Sequence, residues 1–147
     1  MVVLLSGKEN NVENELLKLL CDKQVIAIKG EADVSINNGI IIITDKSKCF
    51  NKLKLNNDII GICSDENSEA LSFFKKNGLP IITCGTGNKN TVTVSSIKEK
   101  SLMLSLQRSI RDLKGRIIEP LEIRVECNGE DCFSVMAATA VSLICGA

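Results

Sequence analysis

The sequence predicts an α/β domain: a mostly parallel sheet with flanking helices, followed by an antiparallel strand extension and a C-terminal helix. Three observations predict it. Apolar β-branched runs alternate with helix-period segments up to residue 85, strand-like segments then follow one another with turns between them, and the last segment carries an apolar stripe at helical spacing. At 147 residues the chain is near the commonest domain size. We therefore read one domain over 1–147, with an α/β half at 1–85, an antiparallel meander at 86–130 and a closing helix at 131–147.

Val2, Val3, Leu4 and Leu5 form a short apolar run closed by Ser6 and Gly7, and in residues 11–20 Val12, Leu16, Leu19 and Leu20 share one helical face. This is strand, loop and helix. Residues 25–28 form a second strand that stops at Lys29 and Gly30, and residues 40–44 a third, after the turn signal Asn37, Asn38, Gly39. Residues 59–63 are continuously apolar, which suits a strand covered on both faces. The run from Asp65 to Ser68 offers several N-caps to a helix over 69–76, with Lys75 and Lys76 in its last turn and Gly78 beyond it. Residues 80–84 enter the next strand, and Gly85, Thr86, Gly87 and Asn88 end it.

Residues 91–95, 102–110 and 117–125 then read as strands, with turn signals at Lys114-Gly115 and Cys127-Asn-Gly129. Phe133, Met136, Ala137, Ala140, Val141 and Ile144 make the stripe of the closing helix, which Gly146 ends. Of the adjacent Phe73 and Phe74, one should face the core while the other stays partly exposed.

Composition narrows the function. Eighteen basic residues balance eighteen acidic ones, and aromatics are four Phe alone, so the chain has neither the charge nor the stacking platform for nucleic acid. With no histidine, Ser/His/Asp triads and Cys/His pairs are excluded. The N-terminal apolar run lacks a basic flank and is shorter than a signal core, and the apolar stretch at 133–144 is too short to span a bilayer. A cytoplasmic protein without membrane association is expected, free or as a homo-oligomer. Seven cysteines, at 21, 49, 63, 84, 127, 132 and 145, include no C-x-x-C pair and read as reduced thiols; Cys63, Cys84 and Cys145 lie in apolar patterns.

Three stretches carry a family resemblance. Ile60-Gly-Ile-Cys-Ser-Asp65-Glu66 precedes a helix; Leu79-Pro-Ile-Ile-Thr-Cys-Gly85 is a strand ending in glycine; and Gly129-Glu-Asp-Cys-Phe-Ser-Val-Met-Ala-Ala-Thr-Ala140 leads into an alanine-rich helix. Their order, with a meander between the second and third, is similar to the central domain of the Mur ligase and folylpolyglutamate synthase superfamily. The resemblance covers about the last 90 residues. It implies an ATP-binding fold, with a phosphate-binding loop after the first strand and an Asn-x-Asp-Asp segment at the adenine side.

The chain departs from that family where ATP would be held. At the phosphate loop it offers Leu5-Ser6-Gly7-Lys8-Glu9, with Val2 where the first glycine belongs and Glu9 where magnesium needs a hydroxyl. The Asn-x-Asp-Asp segment becomes Cys63, Asp65 and Glu66, and the histidine of the family's Gly-x-His-Asn is absent beside Glu130 and Asp131. The family's N-terminal substrate domain and C-terminal Rossmann-like domain are not among these 147 residues, so ligase activity is not expected. No cofactor, no metal and no catalytic residue is assigned.

The candidate ligand-binding residues are Ser6, Gly7, Lys8, Asp65, Glu66 and Asn67, at strand ends of the kind where open α/β sheets bind ligands. The leading expectation is a non-catalytic Mur-ligase-like module that binds a partner protein or a small ligand. The alternatives are a nucleotide-binding regulatory domain and a thiol-based redox or metal protein using Cys63 and Cys84. Glu119, Glu122, Glu126, Glu130 and Asp131 read as a solvated face. Arg108, Arg111, Lys114, Arg116 and Arg124 read as a surface sheet face, with an anionic ligand as the other possibility. The Gly85-Thr-Gly-Asn-Lys89 stretch reads as a turn, because the alternating Thr and Val after it offer no helix N-terminus to an anion.

Overall fold

A computed structural model of the chain describes residues 2–6, 25–29, 34–44, 53–55, 58–129 and 131–146. The helix expected at 11–20 lies outside the described residues, as do Gly7, Lys8, Glu130, Cys21 and Cys49.

The strands are β1 (Val2–Ser6), β2 (Val25–Lys29), β3 (Val34–Ile36), β4 (Gly39–Ile43), β5 (Leu53–Leu55), β6 (Ile59–Ser64), β7 (Ile81–Cys84), β8 (Val92–Lys98), β9 (Ser101–Leu106), β10 (Ile110–Arg111), β11 (Ile117–Ile118) and β12 (Leu121–Glu126). Two helices are described, α1 (Ser68–Lys76) and α2 (Cys132–Cys145). Eight strands form one sheet in the order β2-β1-β4-β6-β7-β8-β9-β12. Pairing is parallel from β2 through β8 and antiparallel for β8 with β9 and β9 with β12. The parallel half and the antiparallel extension are thus one continuous sheet, joined by the single pair Cys84 with Val92.

Both faces of the sheet are covered at its centre, over β4, β6 and β7. Every residue of β4 is buried, as its unbroken Ile run requires of a central strand. On one face Ile40, Ile42, Ile62, Ile82, Leu102, Leu104 and Leu106 pack against Val135, Met136, Ala137, Ala140, Val141 and Ile144 of α2. On the other, Ile41, Ile43, Ile59 and Cys63 meet Ala70 and Phe74 of α1, joined by Ile36 of β3. Phe74 is fully buried and Phe73 only partly. The Phe74 ring lies where a side chain on Gly61 of β6 would be: a Cβ there would stand 2.8 Å from its carbons.

Two expectations are corrected. The strand at 102–110 ends at Leu106, opposite the first residues of β8 and β12; the Gln107 N–H makes one more ladder bond, to the Thr91 carbonyl, and the Arg108 guanidinium then reaches the Lys89 carbonyl. The strand at 117–125 is two strands, β11 and β12, separated at Glu119 and Pro120, and proline has no N–H to carry a ladder. β10 and β11 instead form their own antiparallel hairpin, and β3 and β5 a small parallel pair that was not foreseen.

The β10–β11 hairpin turns on Asp112. Its carboxylate accepts the N–H groups of Lys114 (2.9 Å) and Arg116 (2.8 Å) and the Arg116 Nε–H (2.7 Å). The Leu113 N–H in turn donates to the Ile144 carbonyl at the end of α2. Burial pushes the Asp112 carboxyl upward, but the hydrogen bonds and charge of Arg116 and the Lys114 N–H outweigh it and hold the carboxyl below its ordinary 3.8. A depressed carboxyl stabilises the fold above its unfolded value and ceases to as pH falls through the folded one. The Tm gap between wild type and Asp112→Asn is therefore expected to be constant from neutral pH down to about 4 and to close below it. Thermal melts across pH 3 to 7 check this.

Candidate functional site

Parallel strands end together on one edge of a sheet, and here that edge gathers the carboxyl ends of β1, β4, β6 and β7. The strand order reverses at β1, which has β2 on one side and β4 on the other, the kind of switch point where α/β sheets open a crevice. Ser6 ends β1 at that point, opposite Lys29. Asp65 and Glu66, both exposed, follow the last residue of β6. One strand, β4, lies between β1 and β6, so the two halves of the candidate site are two strand spacings apart, roughly 10 Å. Gly7 and Lys8 continue from Ser6 outside the described residues.

The sequence places Asn67 at the edge; the structure shows what it does there. Its side-chain oxygen accepts the Ala70 N–H at 3.2 Å as the N-cap of α1, and the residue is 4% exposed. Asp65 does something else. Its Oδ2 accepts a hydrogen bond at 3.0 Å from the side-chain amide of Asn90, at the end of the loop after β7, and its N–H reaches the Cys84 carbonyl at 3.3 Å.

Asn90 is the residue that sequence reasoning missed. It is 2% exposed, and its Nδ2 also donates to the Gly87 carbonyl at 3.0 Å. The loop is closed by the Gly85 N–H to the Val92 carbonyl and by reciprocal bonds in which the Thr83 and Thr91 N–H groups donate to each other's hydroxyls. Two acceptors on Nδ2 fix the amide's orientation, since exchanging N and O would set oxygen against oxygen. The Asn90 Oδ1 is then left buried with no hydrogen-bond partner. Thr93 Oγ1 is the other such atom among the described residues; Thr93 follows Val92, the partner of Cys84, and so stands level with Gly85 and Asp65. A buried acceptor without a donor costs about 1–3 kcal/mol, so it marks a place where a donor belongs.

Gly85 makes this cluster possible. A Cβ there would come 2.5 Å from Asp65 Oδ1 and 2.6 Å from Asn90 Nδ2. The signal in the sequence was a polar Gly-x-Gly-Asn-x-Asn run at a strand end, one strand after an acid at the same edge.

The other constellations disperse. Cys63 pairs in register with Thr83, so Cys63 and Cys84 point to opposite faces, Cys63 among the residues under α1 and Cys84 among those under α2. Burial first and the charge of Asp65 second push the Cys63 thiol up to about 12. Cys84 is pushed up as well, by burial and then by Cys63 and Asp65. Two buried protonated thiols back to back across a sheet are poor nucleophiles and poor co-ligands. Among the described residues no group of three or more His, Cys, Asp or Glu side chains could hold a metal ion.

Of the acidic group, Asp131 caps α2 by accepting the Ser134 N–H, Glu119 accepts the Ser109 hydroxyl, and Glu122 and Glu126 are exposed on β12. Of the arginines, Arg108, Arg111 and Arg116 are committed to Lys89, Gly115 and Asp112. Arg124 lines a shallow groove of about 390 Å³ with Lys98, Lys100, Glu99 and Glu126, a lining of both signs. No helix among the described residues is long and apolar enough to cross a membrane.

Compared with protein-family models and with curated proteins, the chain matches none.

Proposed function

We propose that this chain is a non-catalytic ligand-binding module, Mur-ligase-like in layout, whose ligand seats on the carboxyl edge of the parallel strands and offers hydrogen-bond donors to Asp65 and Asn90. The buried, unpartnered Asn90 Oδ1 carries the reading, because the amide's nitrogen is held by Asp65 and Gly87 while its oxygen has no donor among the described residues. The acceptor character of the edge, an amide oxygen beside the exposed carboxylates of Asp65 and Glu66, suits an amine, an amide or the amino edge of a base better than a phosphate. A nucleotide-binding regulatory domain is the second reading. The position of Ser6 at the reversal of strand order favours it, with the base toward Asp65 and Asn90.

The test is a thermal-shift series on reduced protein with nucleosides, nucleotides, UDP-sugars, folates and simple amines. A ligand of this site at about 100 times its Kd stabilises the fold by roughly 2.7 kcal/mol, and the shift is expected to fall to about half or less in Asp65→Ala. A response to bases with and without phosphates alike supports the donor reading, and one that requires phosphates supports the nucleotide reading. No shift with any of them, or steady ATP hydrolysis, contradicts the proposal.

A further inference from the structure

The last strand of the sheet, β12, leaves its outer edge open among the described residues. The Cys127 N–H donates to the Lys100 carbonyl, so by alternation along the antiparallel ladder the backbone groups of residues 121, 123 and 125 face β9. Those of Glu122, Arg124 and Glu126 face outward. Exposed edges pair with other strands unless something prevents it, and charged side chains usually do. Here the charges are ordered: Glu122 and Arg124 flank Ile123, both are exposed, and neither takes part in an ion pair among the described residues.

We propose that two copies of this chain associate by antiparallel pairing of β12 with β12 about a two-fold axis through Ile123. In that register Glu122 of each copy lies opposite Arg124 of the other, with the outward backbone groups of both in hydrogen-bonding position, and Leu121 lies opposite Val125. The row of Leu121, Ile123 and Val125, on the same face as Leu102, Leu104 and Leu106, is extended by its own copy. That row is incompletely covered in one chain, where Leu121 is 37% exposed. An axis through Glu122 or Arg124 sets like charges against each other. An axis through Val125 pairs Arg124 with Glu126 but engages only the last three residues of the strand, whereas the Ile123 axis engages most of it. The pattern repels foreign edges and accepts its own copy. The pairing doubles the eight-stranded sheet and leaves the edge carrying Asp65 and Asn90 free, and it stands or falls independently of the ligand reading.

Sedimentation or light scattering of reduced protein from about 10 to 200 μM tests the proposal. The wild type is expected to be a dimer, Glu122→Lys and Arg124→Glu each to weaken it about tenfold or more by setting like charges opposite each other, and the double variant E122K/R124E to restore it. Melting of the single variants that matches the wild type at concentrations low enough for all to be monomeric shows that the loss is not one of folding. A wild type that stays monomeric, a dimer that ignores both single changes, one that loses to R124E but not E122K, or a double variant that does not recover would each overturn it.

Discussion

Phe74→Ala is expected to cost about 3–5 kcal/mol, a drop of about 10 °C in Tm for a domain of this size. Phe74 is the largest of the fully buried side chains in the layer between α1 and the sheet. Its fully buried companions are isoleucines from the strands, Ala70 and a thiol, with Phe73, Leu71 and Leu79 packed at the margin. The sheet below is shaped to it, because Gly61 admits the ring at a distance that a Cβ would violate, 2.8 Å. Gly61→Ala alone should cost about 1–3 kcal/mol by overpacking. Combining it with Phe74→Leu should cost less than the two separate losses added together, since the smaller side chain gives up the contact that the new methyl violates. Chemical denaturation of the three variants measures the coupling, and strict additivity would mean that ring and strand are not in contact.

Gly85→Ala is the second large effect, and it is expected to act on stability and on binding at once. The new methyl must push Asp65 or Asn90 aside, breaking the 3.0 Å bond between β6 and the loop after β7. A loss of about 1–3 kcal/mol follows. Gly87, two residues on, is the internal control: a Cβ there would meet only Asn90 Nδ2, at an ordinary 3.7 Å, so Gly87→Ala should stay within about 0.5 kcal/mol of wild type. Equal effects at the two glycines would mean that the loop tolerates a methyl wherever it falls, and that the cluster is not tightly built.

The parallel half of the fold was legible because burial on both faces writes itself into the chain as continuous β-branched runs, and β4 and β6 lie within a residue of where those runs predict them. Helix α1 was legible from its caps and α2 from its stripe. The antiparallel part was less so. Reading 102–110 as one strand passes over the break at Gln107, Arg108 and Ser109; β9 ends where its partners do, β8 beginning at Val92 and β12 at Leu121, both opposite Leu106 and distant in sequence. Strands β3 and β5 are three residues each, too short to show a period.

The same distinction divides the candidate site. Asp65 could be read as an acid at a strand end, and Asn67 as a cap, because both follow from local chemistry. Asn90 could not. It meets Asp65 across 25 residues of chain, and only the parallel pairing of β6 with β7 brings them together. Nor does composition reveal that Cys63 and Cys84, one position out of register on neighbouring strands, turn their backs on each other.

The central claim is that Asp65 and Asn90 accept hydrogen bonds from a ligand at the strand ends, and titration calorimetry of the compound that most stabilises the wild type tests it most directly. Binding to Asp65→Ala is expected to be about tenfold weaker or worse, as the loss of a charged acceptor requires, with the Gly87→Ala protein unaffected. Equal affinity for wild type and Asp65→Ala would place the ligand elsewhere and contradict the account.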